Sequence, residues 1–233
     1  MKKGLITAGM ISLAGFSMFF FTGAGSRDRD TANIPMIICF GDDITAGVGA
    51  GGPYIEDPDR SYPAILSTKM QIPVVNAGVR GDTTTSALLR LNRDVLSKKP
   101  QVVIINLGLV DLFENIDLWL TEYNYDVILS NLTDGNRKIY VTNYFSDEMI
   151  STLLSSMNWS DDEKYEFRIQ YASLFQSLME RYDIEIVQAV WNGVWGLHMS
   201  GDVHPDATGY KIMATNYLAV LKPYLSSRNF YKE

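Results

Sequence analysis

Only one cysteine is present, Cys39, so no intramolecular disulfide can hold this chain, and its stability must come from its core. Cys39 itself falls inside an apolar run and reads as a small buried hydrophobe. Acidic residues outnumber basic ones, 27 to 20, and no basic run interleaved with aromatics appears after residue 30, so nucleic acid is not an expected partner. There is no internal repeat and no low-complexity linker beyond residues 26–34. A dense metal-ligand motif is also missing, and no cofactor is expected. Absent too is the strict apolar/polar alternation that marks a half-solvated strand.

What is present begins with Lys2 and Lys3, an uncharged stretch over residues 4–26, and then Arg27, Asp28, Arg29 and Asp30. A cationic start, an apolar centre and a polar exit make a targeting segment. It reads as a signal peptide or, since ~20 apolar residues suffice to span hydrocarbon, as an N-terminal membrane anchor. The expected location is exported, periplasmic or extracellular, or held at a membrane through residues 4–26. Residues 27–34 then form a polar spacer and residues 35–227 one domain. With 233 residues and 46% hydrophobic content, the chain can bury one sizeable core and is short for two. Its oligomeric state is not legible.

Short, nearly continuous apolar runs alternate with amphipathic stretches, the pattern of a parallel sheet with crossover helices. The runs at 36–40, 74–77, 102–106, 139–143 and 184–189 predict five buried strands and a three-layer α/β/α, flavodoxin-like domain. Residues 83–97 place Leu88, Leu91, Val95 and Leu96 on one helical face and end at Lys98, Lys99 and Pro100. Ser160 and Glu163 form a capping box that opens a helix burying Phe167, Tyr171, Leu174 and Leu178. A last helix is predicted to start at Pro205 and to bury Tyr210, Met213, Tyr217 and Leu221.

In such a sheet, ligands bind at the carboxyl ends of the strands, so the loops there should hold any site. They are residues 41–47 ("GDDITAG"), 78–82 ("GVRGD"), 107–111 ("LGLVD") and 199–205 ("MSGDVHP"). With their neighbours, "FGDDITAG", "VVNAGVRGDTT", "LGLVDL" and "SGDVHPDATGYKIMA" resemble the four blocks of the SGNH (GDSL-like) hydrolase family over about residues 35–220. The second block and the last helix are similar to those of its bacterial thioesterase, lysophospholipase and arylesterase members. The resemblance implies a serine nucleophile, a glycine N–H and an asparagine side chain as oxyanion donors, and an Asp-x-x-His pair. These fall on Asp43, Gly78, Val110, Gly201 and His204, of which only Gly78 and His204 keep the family's residue type. The carboxylate expected to orient His204 is displaced to Asp202, and Arg80, Gly108 and Val110 are expected to line the pocket.

Each departure has a chemical meaning. A carboxylate attacking an ester would form an anhydride while expelling an alkoxide, and such an intermediate collapses backwards. Valine in place of an oxyanion donor removes about 3 to 4 kcal/mol of barrier lowering. The expectation is therefore an esterase scaffold disabled as a serine esterase, with Asp43 an anion held by backbone N–H groups and His204, and with a small acyl or sugar ester as ligand. Catalysis through water activated by His204, or through Asp43 as a nucleophile, is the second reading; a hard-metal site of Asp43, Asp202 and His204 is the third.

Other features weigh less. Gly47, Gly49 and Gly52 fit G-x-G-x-x-G, but Pro53 follows and no helix opens there, so a flexible loop beside the pocket is expected instead. Asp42, Asp82 and Asp111 read as turn, cap and loop-fixing carboxylates. Trp191, Trp195 and His198 read first as core or lid packing.

Overall fold

The computed structural model describes residues 35–231 apart from 71, 134, 145, 146 and 202. The targeting segment, the spacer before Pro35 and Asp202 therefore lie outside the described residues. Among those described, no helix is long and apolar enough to cross a membrane.

The strands β1 (Ile37–Gly41), β2 (Val74–Gly78), β3 (Val102–Asn106), β4 (Lys138–Thr142) and β5 (Ile184–Val187) form one parallel sheet in the order β2-β1-β3-β4-β5. The helices are α1 (Asp43–Ala46), α2 (Tyr62–Met70), α3 (Thr84–Asp94), α4 (Leu109–Phe113), α5 (Leu118–Leu132), α6 (Asp147–Ser156), α7 (Asp161–Arg181) and α8 (Ala207–Ser227). Every residue of β1 and β3 is buried, which is why both read as continuous apolar runs. Right-handed crossovers put α2 and α8, which pack on each other, on one face, and α3, α5 and α7 on the other. The chain runs from β1 outward to β2 and later from β3 outward through β4 to β5. Loops after β1 and β3 thus diverge and leave a crevice at their carboxyl ends.

The helix starts follow from local chemistry. Thr83 and Ser86, and again Ser160 and Glu163, exchange reciprocal capping hydrogen bonds at the starts of α3 and α7. The last helix begins two residues later than Pro205. The Asp206 carboxylate accepts the N–H groups of Thr208 and Gly209, both at 2.7 Å, while Pro205 is bridged back to Met199. Tyr210, Met213, Tyr217 and Leu221 are buried, and Tyr217 stacks on Tyr62 of α2 at 4.6 Å. On α3, Ala87, Arg90 and Leu91 are buried, so a charged residue sits in the middle of the face expected to be apolar.

Candidate functional site

The first loop turns sharply because its glycine has no side chain. A Cβ on Gly41 would lie 2.4 Å from Asn106 O and 2.2 Å from Thr45 Oγ1, so only glycine lets β1 feed directly into α1. Asp42 caps α1, its Oδ1 accepting Ile44 N–H at 3.1 Å and the Tyr144 hydroxyl at 2.8 Å. Asp43, the first residue of α1, is thereby directed away from the core with a side chain 15% exposed.

Two sides of the crevice converge on Asp43. Its Oδ2 accepts the Gly81 N–H at 2.8 Å, and its Oδ1 lies 3.6 Å from His204 Nε2 and 3.9 Å from Arg80 Nε. Burial works to raise the Asp43 pKa, but the His204 and Gly81 interactions outweigh it and hold the carboxyl below its ordinary value. Asp43 is thus an anion at neutral pH. Arg80 reaches it from a half-exposed position while donating from Nη1 to Tyr54 O at 3.1 Å.

The N–H that serves this site belongs to Gly81 and not to Gly78. Gly78 ends β2 opposite Gly41, and its N–H donates to Asn76 Oδ1 at 2.9 Å. Its lack of a side chain serves packing, since a Cβ there would lie 2.2 Å from Ala46 N. Beyond it the chain turns, with Asp82 N–H donating to Val79 O at 3.2 Å, and Gly81 at φ +75 aims its N–H at Asp43. The legible signal was a glycine two residues before Thr83, the N-cap of α3.

Arg90, which sequence reasoning left unmarked, braces this end of the sheet. It is 6% exposed, pairs with Asp82 at 2.6 Å and Asp94 at 3.1 Å, and donates to Ala77 O at 2.8 Å and Gly41 O at 2.9 Å. Its guanidinium also lies 4.4 Å from the Phe40 ring centroid. One side chain therefore satisfies carbonyls at the ends of β1 and β2 and fixes the turn that carries Gly81.

After β3, Gly108 takes a positive φ of +103 to start α4, and Val110 follows, half-buried, in its first turn. Val110 offers no side-chain donor. Asp111 is structural: its carboxylate accepts Thr84 N–H at 2.9 Å and the hydroxyls of Thr84 and Thr121, tying α4 to α3 and α5.

His204 closes the site from the last loop. Nε2 faces Asp43, and the buried Nδ1 has no partner among the described residues. The glycine-rich loop lies directly over it, because a Cβ on Gly49 would sit 2.8 Å from His204 Cβ. That loop is tied by Gly49 N–H to Ile55 O at 2.9 Å, Asp57 N–H to Gly47 O at 3.0 Å and the Tyr210 hydroxyl to Val48 O at 2.8 Å. Gly201 has φ +103, and a Cβ there would meet the Tyr54 ring at 3.5 Å. Tyr54 also stands edge-on to His204 at 6.0 Å. A side chain at 201 would thus be strained by its backbone, while its Cβ would make only ordinary contact with Tyr54.

Asp42 contrasts with its neighbour. Burial pushes its pKa well above the ordinary value, the Tyr144 hydrogen bond offsets only part of this, and the Asp43 charge adds to it. A raised folded pKa means the native state holds the proton more tightly than the unfolded one. Stability from this group is therefore full below about pH 4 and falls as pH rises, by up to ~1.4 kcal/mol per pH unit. Asn can accept from the Ile44 N–H and Tyr144 but cannot titrate. Asp42→Asn is expected to remove this slope, so that urea unfolding at about pH 7 favours the variant more than at about pH 5. Equal differences at both pH values would contradict a raised pKa for the buried Asp42.

Among the described residues no group of three or more His, Cys, Asp or Glu side chains is placed to hold a metal ion. Trp191 is buried in the core against Tyr144 and Trp195, and His198 lies 3.9 Å from Asp206. A cavity of about 410 Å³ opens between the α4–α5 connection and α7, with Leu112, Leu118, Trp159 and Phe167 among its walls. Its wall begins two residues beyond Val110.

Residues 39–212 match the family model described as the GDSL-like Lipase/Acylhydrolase family. An arylesterase of Vibrio mimicus is 24% identical over 135 residues, 56% of this chain and 62% of that protein. The chain thus matches less than two thirds of that relative's length. The fold is similar to that of TesA, with TM-score 0.65 and 20% identity over 81% of this chain and 98% of that one. It is also similar to that of the psychrotrophic esterase EstA from Pseudoalteromonas sp., solved inhibited by monoethylphosphonate, with TM-score 0.66 and 18% identity over 82% and 98%.

Proposed function

The chain belongs to the GDSL-like lipase/acylhydrolase family, and from that premise we propose that it keeps the ester-binding crevice of an ester hydrolase while being silent as a serine-type esterase. The observation that carries this is the convergence of the Gly81 N–H and His204 Nε2 on an ionised carboxylate, at 2.8 and 3.6 Å from its two oxygens. A neutral alcohol there would give its proton to His204 and become an alkoxide nucleophile. The carboxylate has no proton to give, and its acyl product is an anhydride that expels the carboxylate again. Val110 leaves the oxyanion side without a side-chain donor. The role that fits is a binding protein for small acyl or sugar esters. His204 is poorly set to activate water in this state, since Nε2 faces Asp43 and Nδ1 is shut away from solvent.

The test is to offer the purified protein short and long p-nitrophenyl esters and a fluorophosphonate probe, beside Asp43→Ala, and to follow butyl acetate binding by saturation-transfer NMR. Binding with neither turnover nor adduct is expected. Turnover that Asp43→Ala abolishes, or an acyl or phosphonyl adduct on residue 43, would contradict the reading. We further propose export or membrane anchoring through residues 4–26. Fractionation with N-terminal mass analysis of the mature chain checks it; an uncleaved protein in the cytoplasm would refute it.

A further inference from the structure

We propose that Asp43 is a nucleophile toward saturated carbon: it displaces an anionic leaving group from a small primary alkyl electrophile, and His204 then directs water onto the resulting ester. This rests on the reading above, that the crevice admits small ligands and presents a charged carboxylate.

The two oxygens of Asp43 are treated differently. Oδ2 is pinned by the Gly81 N–H at 2.8 Å. Oδ1 has His204 Nε2 at 3.6 Å and Arg80 Nε at 3.9 Å, both beyond hydrogen-bonding range, so its lone pairs are oriented but not consumed. The side chain is 15% exposed, which strips most of its water yet leaves it reachable. A carboxylate held by one oxygen with the other unengaged is the arrangement a displacement requires.

The same chemistry accounts for Val110. Attack on an acyl carbon makes an oxyanion on the substrate, to which Val110 offers no side-chain donor. Attack on saturated carbon makes none. Oδ1 forms a bond to carbon as the carbon–leaving-group bond breaks, and the departing halide or sulfate carries off the electron pair beside half-exposed Arg80. Asp43 is now a neutral ester, the pairing with His204 is lost, and Nε2 is free to take a proton from water. Hydroxide adds to Cγ, and the tetrahedral oxyanion forms on Oδ2, where the Gly81 N–H already sits. Collapse expels the alkoxide from Oδ1. It takes the proton back from His204 and leaves as the alcohol, and the acid at residue 43 releases its own proton to solvent. The sum is an alkyl halide or sulfate plus water giving an alcohol, a proton and the free anion.

The experiment uses bromobutane and bromoethanol on the wild type, Asp43→Asn and His204→Gln, with circular dichroism as the fold check. Wild type is expected to release bromide and, in heavy-oxygen water during a first turnover, to take the isotope into the Asp43 carboxylate and not into the alcohol. His204→Gln should turn over ~10²- to 10⁴-fold more slowly while accumulating an alkyl group on Asp43 by peptide mass mapping. Asp43→Asn should do neither. Bromide release no faster than that of Asp43→Asn, with no alkyl adduct in wild type or His204→Gln, overturns the proposal. If butyl acetate still binds in those samples, the ester-binding reading survives that failure; if it does not bind, both fall.

Discussion

The double variant Asp43→Ser with Val110→Asn is expected to hydrolyse short p-nitrophenyl esters ~10²- to 10³-fold faster than Asp43→Ser alone, the usual worth of one oxyanion-hole donor. The gain follows from what is already in place. The Gly81 N–H and His204 Nε2 both point at the residue 43 side chain, so serine restores a proton the imidazole can take. Asparagine at 110 stands in the first turn of α4, where the sequence resemblance puts the family's asparagine. Adding Gly201→Asp should subtract. The backbone there has φ +103, and forcing a side chain into such a conformation costs ~1–3 kcal/mol. Values of kcat/KM for the single, double and triple variants decide it; a triple variant faster than the double would show that the last loop reshapes freely.

Arg90→Met is expected to cost ~3–5 kcal/mol of unfolding free energy, because it strands the buried Asp82 carboxylate without its counter-ion. It also removes a hydrogen bond from Ala77 O and one of the two on Gly41 O, which keeps the Val79 N–H at 3.0 Å. Against a total of roughly 5–15 kcal/mol for a domain, that is a large fraction. Arg90→Lys should recover only part, since one ammonium cannot bridge both carbonyls and the carboxylate in a planar fork. Urea unfolding measures both. A loss below ~1 kcal/mol for Arg90→Met would place the pair among weak surface bridges and remove its role as the brace behind the Gly81 turn.

The contrast between Arg90 and the strands marks what the sequence could disclose. The strands were legible because each is buried on both faces and so reads as an unbroken apolar run, as in Val102–Asn106. The helix Leu118–Leu132 left no clean stripe, because its buried face includes Thr121 and Asn124. They bond Asp111 and the hydroxyls of Thr84 and Thr85 across to other elements. A buried arginine is likewise invisible until the carbonyls it serves are brought to it by the sheet. In the candidate site the sequence could single out residues such as Asp43 and His204, which the fold brings to 3.6 Å, but not what backbone direction decides. Two glycines bracket the turn after β2, and only its geometry tells that Gly81 serves the site and Gly78 the packing. Tyr144, which donates to Asp42 from 102 residues away, left no local trace.

The charged state of Asp43 is what the functional account depends on, and a carbon-detected NMR titration of its carboxyl reads it directly. A lowered pKa in the folded state stabilises the protein above about pH 4 and is lost as pH falls through the folded value. The account predicts a midpoint below the ~3.9 of a free aspartate, moving upward in His204→Gln. A midpoint at or above that value, unmoved by the histidine substitution, would mean that burial outweighs its partners and that His204 and the Gly81 N–H do not hold the anion.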